Sequence, residues 1–251
     1  MKTPTEILPG AKTISADEIE TQYQVTFDRG SFWLDLPAGV DPVKPRLIFV
    51  FSGRGGVGAQ NNLTHAGPAS QFRRDMLTAG FGFVCALCSP SAFGDLESTE
   101  ATLGAAAYCR AHGLNVQERL PLLGFSMGGL GALMFAARHP EKTGRVAEFF
   151  GITDLERFFR DGKYPEILGR LSAAERADRA PVRKTAQYRD IPILILHGDR
   201  DETVDISHSE RLYAALKGQG IPVRFEVIPG YGHTNDILAA GGGYVKRFME
   251  E

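Results

Sequence analysis

The chain has 251 residues, of which 43% are hydrophobic and 23% charged, and a formal net charge of −2. That length and composition suit one large globular core and exclude a disordered chain. A charge so near balance offers no general attraction for nucleic acid, and no run reaches the ~18 apolar residues of a membrane span.

The opening stretch, Met1 to Glu6, lacks the apolar run of a secretory signal, so a cytoplasmic location is expected. Alternating apolar and polar residues at 22–27 and 31–36 flank Asp28-Arg29-Gly30, a short turn with a glycine, and predict an antiparallel hairpin. From position 47 the pattern changes. Short apolar runs at 47–51, 83–87, 120–123, 146–150, 193–196 and 223–228 alternate with helix-length segments near 69–79, 98–112, 127–139, 206–218 and 234–250. Such runs fill strands buried on both faces, and their alternation with helices predicts an α/β fold: a mostly parallel sheet with helices on both sides. Segment 156–190 contains no strand pattern and reads as a short helical insertion lying over the sheet, within a single domain covering 1–251.

Three cysteines, Cys85, Cys88 and Cys109, are too few and too odd a number for a disulfide framework. Cys85 and Cys88 fall in one apolar run, where residues three apart face opposite sides of a strand. Both are expected as buried thiols. No metal or cofactor is implied.

In parallel α/β sheets ligands bind beyond the carboxyl ends of the strands, so reactive residues after strand ends carry the functional argument. Gly124-Phe125-Ser126-Met127-Gly128 is a G-x-S-x-G between an apolar run and a small-residue helix start. A tight strand-to-helix turn strains the serine, flanking glycines let strand and helix pass closely, and the helix N-terminus favours developing negative charge. Ser126 is therefore the candidate nucleophile. A serine hydroxyl needs a base. His233 ends the glycine-rich Pro229-Gly230-Tyr231-Gly232-His233 after the last apolar run and is free to reach inward. The other histidines, His65, His112, His139, His197 and His208, sit on less suitable helices, loops or strand ends. The base needs a carboxylate, and Asp199, Asp201 and Asp205 compete after 193–196, with Asp154 a rival after 146–150.

The run His197-Gly198-Asp199-Arg200-Asp201-Glu202-Thr203-Val204 resembles the H-G-x-x-D-x-x-V segment of the α/β-hydrolase superfamily. The resemblance implies the α/β-hydrolase fold and makes Asp201 the acid, with Val204 packed behind it. Asp199 is then a turn residue and Asp205 a helix N-cap, while Asp154 stays the alternative because some relatives place the acid there. The order Ser126, Asp201, His233 is also that of the superfamily. One oxyanion donor is expected from the Met127 amide. The second is implied in Ser52-Gly53-Arg54-Gly55-Gly56-Val57-Gly58, where relatives usually carry H-G-x-x-G and this chain has Ser52. Aligning Gly53 with the first glycine makes the Arg54 amide the donor, with Gly55 as alternative. The loop lacks G-x-x-x-x-G-K-[ST], so phosphate binding is not expected.

Ala180-Pro181 and residues 191–198 look like stand-alone domains related to the prolyl-oligopeptidase and dienelactone-hydrolase branches. Peptidases of that kind normally carry a large propeller, and the roughly 45 residues before Leu47 are too few to form one, since a single blade takes about 40. Cleavage of a small-molecule carboxylic ester is therefore expected, with a peptidase or amidase as the alternative and a non-catalytic binding protein third. The insertion holds nine Lys/Arg against six Asp/Glu. Phe158, Phe159 and Tyr164, with Gly53, Gly55 and Tyr231, are candidate substrate contacts. The Arg54 side chain is a candidate for recognising a carboxylate on the ester, weighed against a merely solvated charged face.

Overall fold

The computed structural model describes residues 4–56, 58 and 61–251. Residues 1–3, where the N-terminal stretch begins, and Val57 of the glycine loop lie outside the described residues, as do Ala59 and Gln60. Among the described residues one sheet contains β1 (Ala11–Ala16), β2 (Glu20–Phe27), β3 (Gly30–Pro37), β4 (Arg46–Phe51), β5 (Phe81–Ala86), β6 (Leu120–Phe125), β7 (Thr143–Phe149), β8 (Ile193–Gly198) and β9 (Val223–Ile228). Its order is β1-β2-β3-β5-β4-β6-β7-β8-β9. The first three strands pair antiparallel and reach β5 antiparallel, and all later pairings are parallel. The helices are α1 (Pro4–Ile7), α2 (Pro68–Thr78), α3 (Leu96–Ala111), α4 (Met127–Arg138), α5 (Leu155–Arg160), α6 (Pro165–Leu168), α7 (Ala173–Asp178), α8 (Ser207–Lys217) and α9 (Leu238–Glu250). This is the α/β-hydrolase arrangement.

The continuous apolar runs have a direct cause in the layers. Phe49 and Phe51 of β4 face Ala105 of α3, Leu133 of α4 and Leu212 of α8 in one core. Ile48 and Val50, the alternate residues, join Phe72 of α2 and Val245 and Phe248 of α9 on the other face. A strand covered twice has no polar face to show. β4 lies between β5 and β6, so the chain reverses its progress across the sheet there, and in such sheets ligands bind beyond the carboxyl ends at that point.

Several expectations need correction. β1 has no counterpart in the sequence reading, because five of its six residues are exposed and no core face marks it. The hairpin turn is tighter than expected: Phe27 pairs with Gly30, leaving Asp28-Arg29 as the loop. β5 stops at Ala86, so Cys88 lies past the strand and is only half-buried, while Cys85 is buried and all three cysteines are free. α9 begins at Leu238 after the short 3-10 turn Asn235–Ile237, later than position 234. Ile206, not Asp205, is the N-cap of α8, although the Asp205 carboxylate accepts from the Ser207 amide at 3.0 Å.

The insertion comprises α5, α6, α7 and the two 3-10 turns Pro181–Arg183 and Thr185–Tyr188. It is a packed part of the domain. Phe158 and Leu168 share a core with Met127, Leu130 and Met134 of α4. Much of its positive charge is spent internally: Glu156 accepts from Arg176 at 2.6 Å and from Arg160 at 3.0 Å.

Candidate active site

Ser126 lies between the last residue of β6 and the first of α4, with φ 55° and ψ −117°. A non-glycine residue there is strained, and its neighbours enforce it. The Ser126 amide donates to the Phe149 carbonyl at 2.9 Å. A Cβ on Gly124 would stand 2.5 Å from the Gly128 carbonyl oxygen, and one on Gly128 would strike the Phe51 and Ser52 carbonyls. The two glycines thus permit β6, α4 and the end of β4 to converge on the serine.

His233 reaches Ser126 from the loop after β9. Its Nε2 lies 2.7 Å from Ser126 Oγ, and its Nδ1 lies 2.7 Å from Asp201 Oδ2. Phe150 supports the ring at a centroid distance of 4.4 Å. The loops after β8 and β9 are stitched together, with the Arg200 amide donating to the Tyr231 carbonyl at 2.9 Å and the Gly230 amide to Asp199 Oδ1 at 2.6 Å.

Asp201 is held on both oxygens. Oδ1 accepts from the Thr203 and Val204 amides, each at 2.9 Å. Oδ2 faces His233 and also His197, whose Nε2 is 3.2 Å away. Burial pushes this carboxyl up, but the hydrogen bonds from His197 and His233, the His233 charge and the Val204 amide together outweigh it and hold Asp201 well below the usual carboxylate range. An ionised carboxylate can only accept, so His233 Nδ1 carries the proton and Nε2 presents its lone pair to the serine hydroxyl. The arrangement can move a proton from Ser126 Oγ to imidazole.

The glycine loop packs against this turn. A Cβ on Gly53 would come within 3.5 Å of the Phe125 carbonyl, next to Ser126. Within the loop, the Gly53 amide donates to Asn62 Oδ1 at 2.7 Å, Gly55 to the Pro90 carbonyl at 2.8 Å, and Gly56 to the Gly53 carbonyl at 3.0 Å. The Arg54 and Met127 amides donate to no described residue. Met127 heads α4, where a first-turn amide has no intrahelical partner. Engagement with Pro90 removes Gly55 as a spare donor in this geometry.

The remaining candidates differ in how near they stand to this line. Asp154 is the N-cap of α5, accepting from the Arg157 amide at 3.1 Å, and is not brought to His233. Phe158 is buried, 5.9 Å from the His208 ring. Phe159 lies under the Arg176 guanidinium at 3.9 Å, within the insertion. Tyr164 meets the active-site loop, with the Arg54 guanidinium 4.5 Å above its ring. Tyr231 is half-buried and contributes its carbonyl to the β8–β9 stitch.

Sequence reasoning passed over Asn62 and Asn235, and it set His197 aside as a strand-end residue without the contact it makes with Asp201. His197 is wholly buried, with Nε2 2.9 Å from the Val204 carbonyl and Nδ1 2.7 Å from Ser209 Oγ. Its place at the head of H-G-x-x-D was the available signal. Glu148 of β7 is also buried behind the turn; its Oε2 accepts from the Gly151 amide at 2.6 Å, Oε1 has no partner among the described residues, and burial pushes its carboxyl up to about 7.

A model of the prolyl oligopeptidase family matches residues 97–248, which is more than half of the chain. The chain belongs to that family. Among curated proteins it is 32% identical over 87 residues to the uncharacterized peptidase YuxL of Bacillus subtilis, covering 34% of this chain and 13% of that protein. It is 27% identical over 119 residues to acyl-protein thioesterase 1 of Gibberella zeae, covering 47% of this chain and 43% of that one. The chain thus aligns with less than half the length of either relative. A truncated carbohydrate esterase from gut microbiota has the same fold at TM-score 0.70 and 16% identity, covering 95% of this chain and 98% of its own.

Proposed function

We propose that the chain is a serine hydrolase that passes the acyl group of a small carboxylic ester to Ser126 and then to water. The reading rests on the unbroken line of contacts from Asp201 through His233 to Ser126, each 2.7 Å long. In this mechanism Ser126 Oγ attacks the ester carbonyl carbon while His233 Nε2 takes its proton. Asp201 holds the imidazole tautomer and stabilises the imidazolium. The oxyanion turns to the Met127 and Arg54 amides, which are unspent elsewhere among the described residues. His233 then protonates the departing alcohol oxygen, and water repeats the sequence on the acyl-enzyme.

A thioesterase among the sequence relatives supports an ester as substrate. Family membership and YuxL favour a second reading, cleavage of an amide or peptide by the same residues. The two separate in one comparison: turnover of an aminoacyl p-nitrophenyl ester against the matching aminoacyl p-nitroanilide. Ester cleavage with little anilide cleavage is expected. Comparable rates on both would overturn the ester assignment and leave the serine mechanism standing. A screen over short-chain, aromatic and sugar-acetate esters then defines the acyl preference.

A further inference from the structure

Asn62 follows the glycine loop and touches both halves of the site. Its Oδ1 accepts from the Gly53 amide at 2.7 Å and from Ser52 Oγ at 2.9 Å. Because a backbone amide can only donate, the side-chain orientation is fixed and Nδ2 must face the other way. There it donates to Asn235 Oδ1 at 2.8 Å, a residue 173 positions away and two past His233. The anchor itself is stiff. The Asn62 amide donates to Ser52 Oγ at 3.3 Å, and the next carbonyl, that of Leu63, accepts from Arg73 Nη1 at 2.8 Å. Arg73 is buried and paired with Glu20 and Asp35.

The consequence falls on the Gly53–Arg54 peptide. Its carbonyl is turned to the Gly56 amide at 3.0 Å, and in a trans peptide the Arg54 N–H points the opposite way. Asn62 clamps the preceding Ser52–Gly53 peptide, so the Gly53–Arg54 plane starts from a fixed amide and is held at its other side by its own bond to Gly56. We infer that Asn62 is a positioning residue. It fixes the Arg54 amide as an oxyanion donor and, through Asn235, ties that donor to the loop carrying the base. This rests on the acyl-transfer reading above.

The test is p-nitrophenyl acetate hydrolysis by wild type, Asn62→Ala, Asn235→Ala and the double variant, with circular dichroism to establish folding. Complete loss of an oxyanion donor costs about 10²–10³ in kcat, so a loosened donor predicts a loss of roughly 10- to 100-fold for Asn62→Ala. KM should stay within about threefold, since the contact is made to the transition state. Asn235→Ala should lose about three- to tenfold, and the double variant no more than Asn62→Ala alone, because both remove one tie. Asn62→Ser replaces Asn62→Ala if the latter does not fold. An active wild type with kcat unchanged in the Asn62 variant, a rise in KM at constant kcat, or multiplying losses in the double variant would each overturn the inference. A wild type that neither turns over ester nor accepts a fluorophosphonate on Ser126 would instead overturn the reading beneath it.

Discussion

Asp201 Oδ2 lies 2.7 Å from His233 Nδ1 and carries the line of hydrogen bonds that ends on the serine. Asp154, in the segment after the neighbouring strand β7, caps α5 with Oδ1 and turns Oδ2 toward Arg183 and Arg211. Asp201→Asn should therefore lower kcat by at least ~10³-fold, because the amide can leave the imidazole in the wrong tautomer. Asn is as good a helix cap as Asp, so Asp154→Asn should stay within about threefold of wild type. Steady-state kinetics on one chromogenic ester decides it, and the reverse pattern would reassign the acid.

Arg54 stands on the active-site loop with its guanidinium over Tyr164 of the insertion. If that cation meets the substrate, an ester bearing a carboxylate should be preferred over a neutral one, and Arg54→Ala should erase the preference by roughly tenfold or more. The comparison uses a neutral p-nitrophenyl ester and an acidic analogue in both proteins. An equal preference in both would leave Arg54 a surface cation stacked on an aromatic ring.

Gly128 has no room for a side chain, since a Cβ there would strike the Phe51 and Ser52 carbonyls. Backbone cannot yield as a flexible side chain can, and strain of this kind is among the few causes of destabilisation above about 4 kcal/mol. Gly128→Ala should unfold at markedly lower temperature or fail to fold. A variant with wild-type Tm and activity would mean that strand and helix are farther apart than described.

Burial raises the Glu148 carboxyl from 4.5 to about 7. The folded state therefore favours the protonated acid. Its contribution to stability is full below about 4.5 and is lost as pH rises through 7. Glu148→Gln cannot titrate and should gain Tm relative to wild type between pH 5 and pH 8. A Tm difference between the two proteins that does not change with pH would contradict this.

Much of the fold is legible because β4, β5 and β8 are buried on both faces and so read as apolar runs. β1 is not, since an exposed edge strand buries nothing that would pattern it. Ser126 is visible because its geometry is imposed by glycines two residues away on either side. Asp201 and Asp154 both follow strands, and composition cannot separate them; their different hydrogen bonds in the fold do. Asn62 escapes for a related reason. Its partners are 10 and 173 residues distant, and an asparagine in a loop carries no local signature of either contact.

The central claim is that Ser126 is activated by His233. Fluorophosphonate labelling of the folded protein, read by peptide mass, tests it most directly. Wild type should carry one adduct on Ser126, Ser126→Ala none, and His233→Ala should label at least ~10³-fold more slowly, in line with other triads. An unlabelled Ser126 in folded wild-type protein, or labelling indifferent to His233, would contradict the account.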